Sequence, residues 1–305
     1  MLSRLCRDRT RAPRPTNGNE RPIMTWFQAM LLAVLQGVSE LFPISSLGHT
    51  VLVPALLRWK IDRSDPTFLA FVVALHLGTA IALIVFYRAD WVRIVRALVA
   101  SVARGNLSSD PDERIGWLLI VGTIPVALLG VFLEKPVRAF FGSSALVSIF
   151  LIVNAGIMFA GEALRRRSVR GEAQALPAMT WSDGAKVGIA QGAALFPGIS
   201  RSGSSIVAGL LLRLTHDDAA RYSFLLATPV IFAASALEVP QLFAPSAHDV
   251  LAQAAVGGVL AAICAYASVA FLTRWFHSND LRPFGWYCLI FGAACLGLTL
   301  AKVIA

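Results

Sequence analysis

Long apolar stretches, separated by short charged segments, run through most of this chain. An α-helix needs about 20 apolar residues to cross the hydrocarbon core of a bilayer. Six stretches come close to that length, at 67–87, 116–133, 145–164, 222–239, 250–272 and 284–301. The pattern therefore predicts an all-α integral membrane protein with six transmembrane helices.

Two further apolar regions are interrupted near their middle by proline and serine. The first runs from 26 to 41, breaks around Pro43, and resumes at 47–57. The second runs from 184 to 196, breaks at Pro197 and Gly198, and resumes at 203–212. Each piece is too short to span a bilayer alone, so each region is predicted to be a re-entrant helical hairpin.

The two interrupted regions also resemble each other. The segment from Gln36 to Ser46 aligns with the segment from Gln191 to Arg201 when one residue slides on each side of the proline. This indicates an internal repeat of one hairpin and three spans, about 24–164 and about 184–301, within a single membrane domain. Because three spans per unit is an odd number, the second copy must be inverted relative to the first.

The first 23 residues differ from the rest, because they are polar and contain six arginines. We expect residues 1–23 to form a basic, disordered tail, and either Met1 or Met24 could be the natural start. They contain no apolar run of the kind that a signal peptide needs.

Composition supports the membrane assignment and excludes other classes. Of the 305 residues, 56% are apolar and 15% are charged, which leaves too little polar surface to cover a soluble globule. The net charge of +9 is concentrated in loops and the tail, so anionic lipid headgroups explain it better than nucleic acid does. The four cysteines form no CxxC pair and no zinc-type cluster, and no role is assigned to them.

Loop charge predicts the orientation. If each hairpin returns to its own side, the loops on one face hold 14 Lys and Arg residues and those on the other face hold 6. The positive-inside rule makes the first face cytoplasmic and places both termini outside, although the arginines of the tail count against this orientation.

Two charged residues lie at the hairpin breaks, near the predicted centre of the membrane. Glu40 precedes the first break and Arg201 lies at the second. A charge at that depth costs roughly 2.5–3.5 kcal/mol on insertion scales, and such residues usually mark function. A purely structural Glu40–Arg201 ion pair that locks the two hairpins together is the alternative.

Each break also starts a new half-helix, whose free N–H groups point into the membrane. Ser45 or Ser46 would cap the first half-helix, and Ser200 or Ser202 the second. Two helix N-termini that converge on an arginine predict an anion site, because a guanidinium group binds phosphate oxygens bidentately.

Helical spacing adds a carboxylate, hydroxyls and an imidazole to this anion site. Gln36 and Glu40 share one helical face, and His49 shares a face with Ser45 and Ser46 on the next half-helix. A serine needs a neighbouring base to act as a nucleophile, so this group indicates phosphoryl chemistry. His76 has no motif around it and is interpreted as a hydrogen-bonded packing residue.

These motifs resemble those of the bacterial undecaprenyl-diphosphate phosphatase family, the bacitracin-resistance or BacA/UppP type. The first is Gln36-Gly37-Val38-Ser39-Glu40 followed by Pro43-Ile44-Ser45-Ser46-Leu47-Gly48-His49, and the second is Pro197-Gly198-Ile199-Ser200-Arg201-Ser202-Gly203. The resemblance extends from Met24 to the C-terminus. It departs from the commonest family pattern at Gln36, which is often Glu, at Leu47, often Ser or Thr, and at Ser205, often Thr.

The resemblance implies hydrolysis of undecaprenyl diphosphate to undecaprenyl phosphate and inorganic phosphate, with a divalent cation, Mg²⁺ or Ca²⁺. This reaction recycles the lipid carrier for peptidoglycan and confers bacitracin resistance. By the resemblance, Glu40, Ser46, His49 and Arg201 are catalytic, and Glu40 is also the expected metal ligand. The expected substrate-binding residues are Gln36, Ser45, Gly198, Ser200, Ser202 and Ser205.

The expected setting is the bacterial inner membrane, with the site open to the periplasm. The expected partners are the lipid diphosphate and membrane lipids, not nucleic acid, and a homodimer is left open. Attack by Ser46 and direct attack by an activated water are equally compatible with the sequence. A transporter of phosphorylated lipid is the other class considered, because inverted repeats with broken helices are typical of transporters.

Overall fold

The computed structural model is helical in the part of the chain that it describes, which is residues 24–62, 65–138, 142–168, 173–242 and 250–304, and these contain no strand. The predicted basic tail, 1–23, lies outside these residues. The helices are α1 Trp26–Ser39, α2 Ser46–Leu56, α3 Pro66–Phe86, α4 Arg88–Arg104, α5 Pro111–Arg138, α6 Ser144–Ser168, α7 Trp181–Gln191, α8 Arg201–Leu211, α9 His216–Leu242, α10 Leu251–Phe276 and α11 Arg282–Leu300.

Five helices among the described residues are long and apolar enough to cross a membrane. They cover Thr67–Phe86, Pro111–Leu133, Ser144–Arg166, Leu251–Phe276 and Arg282–Leu300. Five of the six predicted spans therefore coincide with helices that are long and apolar enough to cross a membrane, and the chain is a multi-pass membrane protein. The sixth predicted span, 222–239, lies within α9 and is not among these five.

The two interrupted regions are pairs of short helices, as the sequence predicts. In the first pair, α1 ends at Ser39 and α2 begins at Ser46. In the second, α7 ends at Gln191, a 3₁₀ turn covers Gly192–Leu195, and α8 begins at Arg201. Pro43 and Pro197 lie inside the breaks, where the missing N–H and the fixed φ of proline prevent the helix from continuing.

The segment 88–114, which the charge count above treats as a loop between two predicted spans, is helical over most of its length, because α4 occupies it. Ile94, Ala97 and Ser101 are buried at helical spacing, and Ser101 accepts a hydrogen bond at 3.2 Å from the indole of Trp117 on α5. Arginines at 88, 93, 96 and 104 interrupt the apolar run and gave it the appearance of a loop. The apolar spacing, rather than the charge, determines this helix.

Several helix contacts occur in matching pairs when the helices are numbered along the predicted repeat. Helix α1 packs on α10, and its counterpart α7 packs on α5. Helix α3 likewise packs on α10, and its counterpart α9 packs on α5. This paired arrangement brings the two short-helix pairs together around α6, which contacts both α2 and α8.

Helices α3 and α10 approach each other closely where two glycines meet. A Cβ atom added at Gly78 would lie 2.1 Å from the carbonyl oxygen of Gly258. Since that neighbour is backbone rather than a flexible side chain, it has no room to yield. Small residues that allow such close approach are typical of helix packing in membranes.

We expect Gly78→Ala to separate α3 from α10 and to lower the midpoint of thermal unfolding in detergent. Overpacking of this kind costs about 1–3 kcal/mol. Gly156→Ala on α6 is the matched control, because nothing lies within 4 Å of its added Cβ. An unchanged midpoint for Gly78→Ala would show that the two helices can move apart freely.

Candidate active site

The two helix breaks lie against each other and share hydrogen bonds. The Ser45 hydroxyl accepts from the N–H of Gly48 on its own helix and from the N–H of Gly198 in the other break, both at 3.2 Å. Ser45 has a φ of 70° and Gly198 a φ of 117°. Only glycine fits at 198, because an added Cβ would also approach the Val147 carbonyl oxygen to 2.5 Å.

Asn154 of α6 joins the same two breaks from the side. Its amide donates to the Pro43 carbonyl and its side-chain oxygen accepts from the Ser200 N–H, both at 3.0 Å. The hydroxyls of Ser200 and Ser202 also donate to the Phe42 carbonyl, at 3.4 and 3.2 Å. Several backbone groups left free by one break are therefore satisfied by residues of the other break and of α6.

A cavity of about 320 Å³ opens beside the joined breaks. Its polar lining consists of Glu40, Ser45, Ser46, His76, Gln191, Ser200, Arg201 and Ser235. The rest of the lining is apolar and comes from Leu47, Leu69, Val72, Val73, Val126, Ala194, Leu195, Ile199, Val230, Ile231 and Ala234. The combination suits an amphipathic ligand with a charged head and a hydrocarbon body.

Glu40 is the centre of the polar lining and is 9% exposed. Its Oε2 accepts from the Ser46 hydroxyl at 2.6 Å and from the Gln36 amide at 3.1 Å. Its Oε1 lies 3.4 Å from Nη2 of Arg201. The structure thus brings together four of the predicted residues, and the ion pair considered from the sequence is present among them.

Arg201 contacts Glu40 through one guanidinium nitrogen only, and its other nitrogens have no partner among the described residues. Its Nε and Nη1 atoms are buried and have no hydrogen-bond partner. Buried polar groups in proteins are nearly always paired, so an arginine with free donors beside a cavity suits an anion. A hydroxyl hydrogen-bonded to a carboxylate, in a cavity that such an arginine also lines, can accept a phosphoryl group.

His49 lies in a different environment from the one that the sequence predicts. Its Nδ1 is 2.7 Å from the Ser45 carbonyl, which can only accept, so Nδ1 carries the proton. Its Nε2 is 2.7 Å from the Tyr287 hydroxyl, and the ring packs nearly parallel to the rings of Tyr287 and Phe291. His49 is therefore absent from the cavity lining, and it stabilises the Ser45 backbone through the hydrogen bond to the Ser45 carbonyl.

Four predicted binding residues also lie outside the cavity lining, and one of them, Gln36, donates to Glu40. Gly198 contributes its N–H to Ser45. The Ser202 hydroxyl bonds within the joined breaks, and the Ser205 hydroxyl donates to the Arg201 carbonyl at 2.9 Å and pairs with Ser223 on α9 at 2.6 Å. In this structure these residues position the breaks rather than face the cavity.

The sequence interpretation of His76 as a packing residue is wrong, because His76 lines the cavity. Its Nε2 lies 3.7 Å from Oε2 of Glu40, and its Nδ1 lies 2.9 Å from the Val72 carbonyl. A signal was available, since positions 69, 72, 73 and 76 share one helical face, and all four line the cavity. Gln191 was also missed as a site residue, although the repeat aligns it with Gln36.

Comparison with known proteins identifies relatives over nearly the whole chain. The family model for bacitracin resistance protein BacA matches residues 29–294. Undecaprenyl-diphosphatase 2 of Chromobacterium violaceum is 45% identical over 90% of this chain and 98% of its own length. Undecaprenyl-diphosphatase 2 of Burkholderia orbicola is 48% identical over 89% and 96%, and undecaprenyl-diphosphatase of Mycobacterium avium is 43% identical over 90% and 97%.

We expect Asn154→Asp to destabilise the protein by about 1–3 kcal/mol, because the Pro43 carbonyl loses its donor and faces a buried carboxylate. The midpoint of thermal unfolding in detergent measures this. The matched control is Asn279→Asp at an exposed position of the α10–α11 loop. A wild-type midpoint for Asn154→Asp would mean that the breaks stay joined without this bridge.

Proposed function

This chain belongs to the BacA family of bacitracin resistance proteins, and we propose that Glu40, Ser46 and Arg201 perform its reaction in the cavity beside the two breaks. The protein is an undecaprenyl-diphosphatase, a hydrolase that converts undecaprenyl diphosphate to undecaprenyl phosphate and inorganic phosphate. It thereby recycles the lipid carrier of the cell wall and confers bacitracin resistance. The observation that carries the assignment of residues is the 2.6 Å hydrogen bond from the Ser46 hydroxyl to Glu40, in a cavity that Arg201, with its free donors, also lines.

Ser46 is the proposed nucleophile. Its oxygen attacks the terminal phosphorus, the bond from that phosphorus to the bridging oxygen breaks, and undecaprenyl phosphate leaves with the bonding electrons. Glu40 takes the hydroxyl proton. Glu40 gives this proton to the departing undecaprenyl phosphate. Water then attacks the phosphoserine, and Glu40 accepts a proton from this water and passes it to the Ser46 oxygen as the bond from that oxygen to phosphorus breaks. In the alternative route Glu40 activates a water that attacks the phosphorus directly.

Arg201 and the first turns of α2 and α8 are proposed to bind the phosphate oxygens. Both helices begin at the breaks, so their N-terminal dipole ends face the same region. Charge that develops on the transferred group is stabilised there by donors that are already in place, which is the main source of catalysis in phosphoryl transfer. Ser45 and Ser200 support this by capping the two helices.

A divalent cation fits the site if it binds together with the substrate. Glu40 is the single carboxylate in the described cavity lining, and no group of three or more His, Cys, Asp and Glu residues among the described residues could hold a metal ion alone. Mg²⁺ commonly uses one or two carboxylates and completes its shell with substrate phosphates and water. Glu40 would hold the ion, which when bound neutralises diphosphate charge.

The proposed membrane arrangement has six transmembrane helices and two re-entrant hairpins, with the second repeat inverted. Helix α9 supplies the sixth span, since its 27 residues extend about 40 Å. The charge imbalance between loops favours an inner-membrane protein whose cavity opens to the periplasm.

Phosphate release from undecaprenyl diphosphate by purified protein in detergent tests the assignment of the site. We expect Glu40→Gln and Arg201→Lys each to lower kcat/KM by about 10²–10³-fold, the usual effect of removing one group that stabilises the transition state. Arg166→Lys, near the end of α6, is the matched control and should keep wild-type activity. Near wild-type activity in Glu40→Gln or Arg201→Lys would place the chemistry elsewhere. Because the assay uses no gradient, release in detergent also distinguishes hydrolysis from transport.

Trapping of radiolabelled phosphate on Ser46 distinguishes the two routes. We expect acid quenching during turnover to leave label on wild-type protein and none on Ser46→Ala, which should also be inactive. Activity that survives in Ser46→Ala would exclude the covalent route and favour attack by water.

Removal of divalent cations with EDTA should abolish phosphate release, and added Mg²⁺ or Ca²⁺ should restore it. Because the ion needs the substrate to complete its shell, we expect weak metal binding without lipid diphosphate, measured by calorimetry. Tight binding to the free protein would contradict the shared site proposed here.

A further inference from the structure

Gln191 is a buried side chain in the cavity lining with no use in the reaction described above. It is the last residue of α7 and is 1% exposed. Neither its Nε2 nor its Oε1 has a hydrogen-bond partner. A buried amide that pairs with nothing loses its hydration without compensation, so a ligand that restores its hydrogen bonds is bound more tightly.

The internal repeat explains why Gln191 is left unpaired. Its counterpart, Gln36, donates to Glu40, which lies four residues later on the same helical face. Four residues after Gln191 the chain has Leu195, and the helix there tightens to a 3₁₀ turn. The second repeat thus has the glutamine but lacks the carboxylate that accepts from the glutamine amide in the first repeat.

The cavity therefore holds free polar groups on two separate elements. Arg201, at the start of α8, offers Nε and Nη1, and Gln191, at the end of α7, offers its amide. Val126, Ala194 and Leu195 also line the cavity and can satisfy no polar atom. A diphosphate carries two phosphoryl groups, and two anchoring points suit it better than they suit a monophosphate.

We propose that the amide of Gln191 binds the phosphoryl group that remains on the lipid, while Arg201 binds the one that is transferred. Nε2 donates to a non-bridging oxygen of the lipid-linked group. Gln191 in this role is a substrate-binding residue that makes the site prefer a diphosphate to a monophosphate. The proposal rests on the function proposed above, because it assigns the second phosphate of that substrate.

Gln191→Met tests this with a side chain of similar length that has no hydrogen-bonding amide. We expect the KM for undecaprenyl diphosphate to rise roughly 10- to 100-fold, the usual value of a hydrogen bond to a charged group, with kcat little changed. The inhibition constant of methylenediphosphonate should rise with KM, and that of inorganic phosphate should stay the same. Thermal stability without ligand should be unchanged or higher, because an unpaired buried amide has been replaced by an apolar group.

Gln253→Met is the matched control. Gln253 is a buried glutamine of α10 that donates to the Met24 carbonyl and lies outside the described cavity lining. This variant should keep the wild-type KM and both inhibition constants. Its stability should fall, since it loses a hydrogen bond that is made.

The outcomes separate this proposal from the proposed function. If wild-type protein releases phosphate and Gln191→Met keeps its KM and inhibition constants, the function stands and the role of Gln191 is overturned. A Gln191→Met protein that is less stable, with lower kcat and unchanged KM, shows a structural role and also overturns it. If wild type releases no phosphate, stabilisation by methylenediphosphonate in a thermal-shift assay decides the matter. Stabilisation that Gln191→Met loses supports the subsite without the reaction, and no stabilisation of wild type overturns both proposals.

Discussion

The structure depends on satisfying backbone polar groups where two helices break inside a membrane protein. In hydrocarbon no water is available for a free N–H or C=O, and each unsatisfied group costs several kcal/mol. This chain meets the requirement by placing the breaks against each other. Ser45 bonds the Gly198 N–H, Asn154 bonds Pro43 and Ser200, and the hydroxyls of the second break bond Phe42. Each break therefore uses hydrogen bonds from the other half of the chain in addition to those of its own half.

The same requirement produces the chemical properties of the site. A break that is held by its partner presents two helix N-termini next to each other, and these attract an anion. Glu40 and Arg201 then lie close enough for an ion pair at 3.4 Å, but the contact uses one guanidinium nitrogen and leaves two others free. The structural and functional readings of this pair are therefore compatible. The carboxylate holds the arginine in place, and the unused donors remain available to a phosphate.

The sequence predicts those parts of the fold that local pattern determines. Apolar length indicates the spans, and proline with serine indicates the breaks, because both act within one segment. Helix α4 was missed since its arginines are frequent enough to hide the spacing of Ile94, Ala97 and Ser101.

Two histidines show how far the site could be predicted from the sequence. His49 shares a helical face with Ser45, yet Tyr287, 238 positions away, takes its free nitrogen. His76 has no motif, yet α3 presents it to Glu40. Helical periodicity predicts which residues share a face of a helix. Tertiary packing decides which other element contacts that face, and the sequence pattern does not contain this information.

The bond from Gly198 to Ser45 has a consequence for biogenesis, because 153 positions separate its two residues. Ribosomes add about 5–20 residues per second, so the first break is made about 8–30 s before its partner exists. During that interval the newly inserted α1–α2 pair has free backbone groups and an uncompensated Glu40. Until then these groups must be hydrated at the aqueous edge of the membrane or be bound by the insertion machinery. The hydrogen bonds between the two breaks stabilise the finished protein. The first half of the chain therefore needs other partners for its polar groups until the second half is synthesised.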